Sequence, residues 1–395
     1  MKALTADIKD FVKLHENEDV HSLILQAGKY PHINMNIAVR QIRGRLAAKQ
    51  KLPLWYENDD ILYPEYISLE QCSSQPTALY KSSLYSGDTM IDLTGGLGVD
   101  TSFLSRNFCK AVYVERNEAL AKITECNFKT LGLNHISVVV AEAEDHIRTI
   151  NDRVDLVYID PARRDDVGKK VVKIEDCSPN LLVLENILKQ KAIKVLIKYS
   201  PMLDISQVVK ELSNISEVHI VSYMNECKEL LFVQDRNIEN FELTYHCINI
   251  KKGGNIDRFV FRKEDEHVDI SYTPNISKYL YEPNASILKA GAYKSIAHKH
   301  ELPKLHANSH LYTSDNLIAD FPGRIFKVQD AISMNKQELK KTLIGITHAN
   351  ITVRNFPLTV DDLRKRLKLK DGGSTYIFAT TTSDNSKTLI LCEKC

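Results

Sequence analysis

A glycine turn flanked by acidic residues is the part of the sequence best suited to binding a small molecule. Residues 90–101 have the pattern of a buried strand, a turn and the start of a helix, with Asp92 near the end of the strand. Glu115 ends the next apolar run, where nucleotide-binding folds place a carboxylate against a ribose. Glycines without a Cβ let the turn approach a ligand, and here they are Gly95, Gly96 and Gly98. The pattern predicts a nucleotide-type site.

A third acid narrows the choice of ligand. Glu142 follows the third predicted strand, so Asp92, Glu115 and Glu142 all lie along the carboxyl edge of the sheet, where ligands bind in α/β folds. Three carboxylates repel a pyrophosphate but suit an ammonium group, two ribose hydroxyls and an adenine amine. S-adenosylmethionine has these donors and no phosphate, so we predict it as the cofactor. Ordinary strand-end acids around a packing turn are the structural alternative.

Residues at the ends of the fourth and fifth predicted strands, and just after them, could act on the group being modified. Asp160 precedes a proline that keeps the backbone non-helical, and its carboxylate can accept a hydrogen bond or a proton. Two arginines follow and could hold a phosphate or carboxylate, or could be surface residues beside a capping acid. Lys198 and Tyr199 are expected at the same cleft. We predict catalytic roles for Asp160, Arg163 and Lys198, and substrate contacts for Arg164, Tyr199, Asn225 and Glu226.

The elements that must position these residues alternate between strand and helix from about residue 76, which is typical of a parallel α/β sheet. A short polar piece separates the last two strands, so they form a hairpin and strand seven runs antiparallel. We predict a Rossmann-like sheet of seven strands within residues 76–265. The strands are Thr89–Leu93, Ala111–Glu115, Ile136–Ala141, Leu156–Asp160, Lys194–Tyr199, Glu217–Ser222 and Leu230–Gln234.

Helical and small α+β regions flank this domain. Residues 1–75 have apolar residues at helical spacing. Residues 266–318 are predicted to form a small α+β domain, for which a ferredoxin-like arrangement is one interpretation. Residues 319–395 read as a second α+β unit, in which Thr359 caps a helix with acids in its first turn and cations towards its last.

The net charge of the chain is close to zero, but one segment is strongly basic. The formal net charge is +1, so the composition gives no overall signal for nucleic acid. Residues 39–51 carry five cations and no acid, at spacings that put several on neighbouring turns of a helix. This helix could be a solvated face or a contact to a phosphate backbone.

The remaining composition argues against several classes of protein. No apolar run approaches the length of about 18 residues that spans a membrane. The N-terminus lacks the apolar core of a signal peptide. Eight scattered cysteines favour reduced thiols in the cytoplasm. Irregularly spaced histidines and a single CxxC give no metal-site pattern, so no metal is expected.

The sequence resembles the class I S-adenosylmethionine-dependent methyltransferases, and in particular a bacterial group that carries a THUMP-like C-terminal domain. The similarity covers most of the chain after about residue 35. The segments that carry it are residues 70–81 (EQCSSQPTALYK), 92–100 (DLTGGLGVD), 113–115 (YVE), 160–164 (DPARR), 198–204 (KYSPMLD), 225–229 (NECKE) and 364–382.

The resemblance implies which residues bind the cofactor and which class of molecule accepts the methyl group. It places the cofactor at Asp92, Gly95, Gly96, Gly98, Glu115 and Glu142, to which we add Thr94 in the turn. It also implies that residues 74–81 fold over the methionine end, and there Thr77 and Lys81 are the predicted contacts. Because THUMP-type domains bind RNA in several modification enzymes, the resemblance favours tRNA or rRNA as the acceptor.

Two departures from related families leave the methylated atom undefined. Amino-group methyltransferases of this class usually have a proline and an aromatic residue where this chain has Ala162 and Arg163. Uridine C5-methyltransferases need a nucleophilic cysteine after strand five, where this chain has Ser200 and Pro201. We therefore predict an RNA methyltransferase. The alternatives are a methyltransferase of a small molecule or protein, and an RNA-binding protein that keeps the fold without activity. The sequence does not define an oligomeric state.

Overall fold

The computed structural model describes residues 4–163, 173–237 and 242–395. The chain divides into two compact units. The first comprises Met1–Val218 with Lys228–Phe241, and the second comprises His219–Cys227 with Glu242–Cys395. No helix in the described part of the chain is both long and apolar enough to cross a membrane.

The first unit begins with a helical bundle, as the apolar spacing predicts. Helix α1 buries Ile8, Phe11 and Val12 on one face, and the side chain of Asn34 caps α3 by accepting a hydrogen bond from the Ile37 N–H. The helices of this unit are α1 Ala6–Leu14, α2 Val20–Leu25, α3 Met35–Lys51, α4 Pro53–Tyr56, α5 Tyr66–Gln71, α6 Gln75–Ser82, α7 Val99–Leu104, α8 Glu118–Thr130, α9 Ala143–Thr149, α10 Leu181–Lys191 and α11 Ile205–Glu211.

The basic segment 39–51 lies in α3, and part of its charge is used inside the protein. Arg45 is buried and ion-pairs with Glu16 and Asp59. The Lys51 ammonium donates to the backbone carbonyls of Leu69 and Glu70. These cations stabilise the packing of the bundle, which weakens the case for α3 as a phosphate-binding face.

All seven predicted strands are present in a mostly parallel sheet. Neighbours follow the order β3-β2-β1-β4-β7-β9-β8, and β9 runs antiparallel to β7, as the hairpin predicts. The strands are β1 Gly87–Asp92, β2 Phe108–Glu115, β3 Ile136–Val140, β4 Val154–Ile159, β5 Ala162–Arg163, β6 Cys177–Ser178, β7 Ala192–Tyr199, β8 Ile215–Tyr223 and β9 Glu226–Asp235. The two-residue strands β5 and β6 pair with each other outside the main sheet. This order aligns the carboxyl ends of β1, β2 and β4 at one edge.

The second unit contains a hairpin and a six-stranded sheet of order β13-β12-β14-β17-β16-β15. Helices α14 and α15 pack on the same apolar cluster, through Leu339 and Leu363. Thr359 caps α15 as predicted, with Asp362 completing a reciprocal capping box. The elements are β10 Thr244–Ile250, β11 Ile256–Arg262, β12 Tyr279–Pro283, α12 Ala285–Ala290, α13 Tyr293–Lys299, β13 Tyr312–Ser314, β14 Gly323–Ser333, α14 Lys336–Thr342, β15 Asn350–Arg354, α15 Val360–Leu367, β16 Thr375–Thr381 and β17 Lys387–Lys394.

Candidate active site

A cavity of about 260 Å³ lies in the first unit, at the edge of the sheet where the sequence places its acids. Residues from the ends of β1, β2, β4 and β7 line it, together with Ser68 and Gln71 of α5 and Cys72 and Ser73 just after that helix. Acids outnumber cations among the described lining residues: Asp92, Asp100, Glu115, Glu142, Glu144 and Asp160 against Arg116 and Lys198. Such a lining favours a cationic or donor-rich ligand over a phosphate.

The three glycines of the turn have different structural roles. A Cβ on Gly95 would lie 2.2 Å from the ring of Tyr113, and a Cβ on Gly98 would lie 2.4 Å from the Thr124 methyl carbon. These two glycines therefore allow the turn and α7 to pack against β2 and α8. At Gly96, with φ of +54°, a Cβ would meet nothing closer than the Thr94 carbonyl oxygen at 3.8 Å. Gly96 is thus the glycine that keeps space open beside the cavity.

Asp92 is buried at the end of β1 and binds the turn that follows it. Its Oδ1 accepts a hydrogen bond from the Thr94 N–H (2.9 Å), and its Oδ2 accepts one from the Thr101 hydroxyl (2.6 Å). The Thr94 hydroxyl in turn accepts from the Asp160 N–H at 2.6 Å. Burial raises the pKa of Asp92 to about 7, although the bonds from Thr101 and Thr94 favour its ionised form. Asp92 and Thr94 therefore connect the glycine turn to the end of β4.

Asp92 should make the stability of the first unit depend on pH. Its folded pKa of about 7 exceeds the value of 3.8 for a free carboxyl. Between these values the folded chain holds a proton that the unfolded chain has lost, so this contribution to stability falls as pH rises. Asp92→Asn resembles the protonated form, and its free energy of unfolding relative to wild type should increase from pH 4.5 to 7.5.

Urea unfolding followed by the fluorescence of Trp55, the single tryptophan and a buried residue of the first unit, measures this dependence. Asp145→Asn, at an exposed site on α9, is the control. A difference between Asp92→Asn and wild type that stays constant over this pH range would contradict the account. Asp100, another buried acid of this region, does not titrate in the same pH range as Asp92. Two lysines outweigh its burial and lower its pKa to about 2, so its contribution is lost only below about pH 4.

Glu115 and Glu142 lie where the sequence places them, at the ends of β2 and β3. Glu115 Oε2 accepts a hydrogen bond from the Gly96 N–H (2.9 Å), and its Oε1 accepts one from the Asn117 N–H (2.8 Å). Each carboxylate oxygen can accept a further bond. The Glu142 side chain is 53% exposed, and its Oε2 lies 4.0 Å from the Arg116 guanidinium. Both carboxylates remain able to accept hydrogen bonds from a ligand.

Asp160 and Lys198 form an ion pair at the cavity. The Lys198 Nζ lies 2.5 Å from Asp160 Oδ2, and the Asp160 side chain keeps 36% of its surface exposed although protein surrounds it. Burial raises the pKa of Asp160, and Lys198 partly opposes this rise. For Lys198, burial alone would lower the pKa, but Asp160 and Asp100 outweigh it and raise the value. The site thus presents a carboxyl group beside a firmly protonated lysine.

Lys81 and Thr77 lie behind the cavity rather than in its wall. Lys81 is fully buried, and its Nζ lies 2.6 Å and 2.7 Å from the two carboxylate oxygens of Glu229. The Thr77 hydroxyl donates to the Ser74 carbonyl oxygen at 3.0 Å. The cavity is lined instead by residues that precede the segment 74–81, namely Ser68, Gln71, Cys72 and Ser73.

The sequence did not indicate the role of Asp100, which connects the cavity-lining residue Ser73 to the sheet. Asp100 Oδ2 accepts hydrogen bonds from the Ser73 hydroxyl (2.7 Å) and the Tyr158 hydroxyl (2.6 Å). It was part of the glycine motif, but nothing local distinguishes it from an ordinary acid in the first turn of a helix. Glu229, the partner of Lys81, is 148 positions away in the chain.

The remaining predicted substrate residues do not gather at the cavity. Tyr199 follows Lys198 on β7, so its side chain lies on the other face of the sheet, where it is buried against the ring of Phe232. The Asn225 side chain accepts the Ala285 N–H within the second unit, at 2.7 Å, and Glu226 begins β9 in that unit. Arg163 belongs to β5, but its side chain lies outside the described residues, as does the whole of Arg164.

Known protein families match three parts of the chain. A family model described as conserved hypothetical protein 95 matches residues 79–220. A ferredoxin-like domain model matches residues 279–322, and a THUMP domain-like model matches residues 323–394.

One solved structure resembles the whole chain. It is the crystal structure of a "putative methyltransferase" from Porphyromonas gingivalis W83, with 34% sequence identity, a TM-score of 0.89 and coverage of 98% of both chains. Together with the family matches, this likeness shows that the chain belongs to the class I methyltransferases, in the bacterial group with a THUMP-like C-terminal domain.

Two named relatives are similar to shorter parts of the chain. A ribosomal RNA small subunit methyltransferase J from Coxiella burnetii is 29% identical over 130 residues, which are 28% of this chain and 49% of that protein. The match thus spans about half of that relative. A probable cobalt-precorrin-6B C(15)-methyltransferase (decarboxylating) from Sulfolobus acidocaldarius is 25% identical over 142 residues, which are 35% of this chain and 74% of that protein.

Proposed function

We propose that this protein is a cytoplasmic S-adenosylmethionine-dependent methyltransferase that modifies RNA. The observation that carries the proposal is the cavity at the carboxyl edge of the sheet. Most of its charged lining residues are acids, and it contains one glycine, Gly96, with open space where a Cβ would stand.

The described residues fit this cofactor by their chemistry. Glu115 would accept hydrogen bonds from the ribose hydroxyls, since both of its oxygens are already aligned by backbone N–H groups. Glu142 would accept a hydrogen bond from the adenine amine. Asp92 and Thr94 would hold the turn beside the methionine end. Leu97, Val114 and Leu120 supply apolar lining for a planar base.

The acceptor chemistry follows from the Asp160–Lys198 pair. When bound, the cofactor would supply a methyl group on a sulfonium. Its sulfur would keep the electron pair of the S–C bond, and the acceptor atom would provide the pair for the new bond. An acceptor that bears a proton must also lose it. Asp160 can take that proton, because its carboxyl group is exposed to the cavity and its pKa is raised by burial. Lys198 holds this carboxyl group in place.

RNA is favoured as the acceptor by three observations. The chain is similar to a protein named as a ribosomal RNA methyltransferase, and it has a THUMP-like domain. Exposed cations also lie on α14 and α15, and both helices pack on the same apolar cluster. These cations are Lys336, Lys340, Lys341, Lys365 and Arg366, followed by Lys368 and Lys370 after α15. Such a surface suits contacts to a phosphate backbone.

Charge reversal at α15 should weaken RNA binding in a salt-dependent way. The double variant Lys365→Glu/Arg366→Glu should reduce the slope of log Kd against log salt concentration by about 1 to 2, because two phosphate contacts are lost. Fluorescence anisotropy with total tRNA or rRNA fragments measures the slope. Lys252→Glu/Lys263→Glu, at exposed positions elsewhere in the second unit, is the charge-matched control. Equal slopes for the two double variants would argue against α15 as an RNA contact.

A small-molecule acceptor is the second candidate. The similarity to a precorrin methyltransferase and the net charge of +1 favour it. The two candidates differ in one measurement, the mass-spectrometric comparison of modified nucleosides in RNA from a deletion strain and its parent. The proposal expects one methylated nucleoside to disappear and to return on complementation. An unchanged nucleoside profile would favour a small-molecule or protein acceptor, or an RNA-binding protein without activity.

A further inference from the structure

A layer of buried charged residues lies behind the Asp160–Lys198 pair. It consists of Lys81, Asp100 and Glu229, whose exposed fractions are 0%, 8% and 4%. Of these three only Asp100 lines the cavity among the described residues. Lys81 and Glu229 are therefore charged groups with no direct access to a ligand in the cavity.

Ser73 and Asp100 join this layer to the cavity pair. The Ser73 hydroxyl oxygen accepts from Lys81 Nζ (3.1 Å) and from Lys198 Nζ (3.3 Å). Asp100 lies between the same two lysines, with Oδ1 at 3.2 Å from Lys81 and Oδ2 at 3.7 Å from Lys198. A change in charge at Glu229 or Lys81 is thus transmitted to Lys198 and Asp160 through short contacts in a poorly hydrated region.

Packing alone does not explain such a layer. Burying an ion costs several kcal/mol, and an apolar pair of similar volume is often as stable as a buried ion pair or more so. Three carboxyl groups (Asp100, Asp160 and Glu229) face two ammonium groups (Lys81 and Lys198). One surplus acid in a low-dielectric region makes uptake of a proton by the group easier. The carboxyl group that is exposed to the cavity is that of Asp160.

We propose that the Lys81–Glu229 pair is a positioning device for the methyl-transfer step, which sets how readily Asp160 takes up a proton from the acceptor. The inference rests on the role of Asp160 in the proposed function. It extends the active machinery to two residues that touch neither the cofactor cavity nor the acceptor. It also favours an acceptor that loses a proton on methylation, such as a ring or exocyclic nitrogen that carries hydrogen.

Several elements of the described part of the chain contribute ionisable groups around Asp160. Lys198 on β7 is in contact, Asp100 is on α7, and Lys81 is on α6. Asp92 on β1 and Tyr158 on β4 also interact with Asp160, and Glu229 on β9 acts on Lys198. Of these, Lys81 and Glu229 are the pair that can be changed without altering the lining of the cavity.

Carbon-13 NMR of selectively labelled aspartate tests the proposal without any substrate. The loss of a signal in Asp160→Asn assigns the Asp160 carboxyl carbon. Glu229→Gln removes a negative charge, so Asp160 should titrate at a pH lower by about half a unit or more. Adding Lys81→Met to Glu229→Gln removes a positive charge and should move the midpoint back up. Glu125→Gln/Lys129→Met removes an exposed ion pair on α8 and should leave the midpoint unchanged.

The outcomes separate this proposal from the proposed function. Midpoints that stay at the wild-type value in both the single and the double variant would overturn it. If the double variant does not fold, Glu229→Gln alone decides, because this substitution keeps the size and shape of the side chain. Failure of the proposed function would instead appear as absence of methyl transfer by the wild-type protein, whatever the NMR midpoints show.

Discussion

Replacing Asp160 by asparagine is expected to lower the rate of methyl transfer by about 100-fold to 10,000-fold, the range for loss of a positioned general base. The substitution keeps the size of the side chain and its place beside Lys198, but asparagine cannot take a proton from the acceptor. The backbone N–H of Asp160 donates to the Thr94 hydroxyl of the turn, and this hydrogen bond is retained in the variant. The affinity for S-adenosylmethionine should therefore change little.

Transfer of labelled methyl groups into RNA, together with calorimetric titration of the cofactor, separates these two effects. Asp145→Asn, an exposed acid on α9, is the control and should keep the wild-type rate. If Asp160→Asn methylates RNA at the wild-type rate, Asp160 is not the base. If it loses cofactor binding as well as activity, the carboxylate belongs to the cofactor site instead.

Replacing Gly96 by valine is expected to reduce the affinity for S-adenosylmethionine by about 100-fold or more, since a side chain would occupy the space beside the turn that the ligand needs. The space exists because a Cβ at Gly96 has no neighbour within 3.8 Å, whereas Gly95 and Gly98 are filled on that side by Tyr113 and Thr124. The positive φ of +54° adds strain of about 1 to 3 kcal/mol, so the loss of stability should be moderate.

Gly132→Val is the matched control for this strain. Gly132 has φ of +73° after α8, and nothing lies within 4 Å of its added Cβ. The control should lose a similar amount of stability and bind S-adenosylmethionine like wild type. Calorimetry on both folded variants measures the difference. Equal affinities for Gly96→Val and Gly132→Val would remove the glycine turn from the cofactor site.

The sheet was predictable because its strands depend on local pattern. Apolar runs separated by helical stretches predicted seven strands, and the short piece between β8 and β9 predicted the antiparallel strand. The acids at strand ends could be placed for the same reason, since parallel strands bring their carboxyl ends to one edge. Asp92, Glu115, Glu142 and Asp160 all line the cavity.

Roles that depend on distant packing could not be predicted. Lys81 looked like a cofactor contact, but its partner Glu229 lies on β9, far along the chain. The turn glycines looked equivalent until Tyr113 and Thr124 were in place. The position of Tyr199, by contrast, could have been predicted. Because side chains alternate along a strand, Lys198 and Tyr199 could not both face the cavity, and this rule was available from the sequence.

The most direct test of the central claim is transfer of a labelled methyl group from S-adenosylmethionine to RNA extracted from a strain that lacks the gene. The account predicts that the wild-type protein labels this RNA but not RNA from the parent strain, whose sites are already methylated. It also predicts that Asp160→Asn labels the deletion-strain RNA more slowly than wild type, by about 100-fold or more. If the folded wild-type protein leaves the deletion-strain RNA unlabelled, the assignment as an RNA methyltransferase is contradicted.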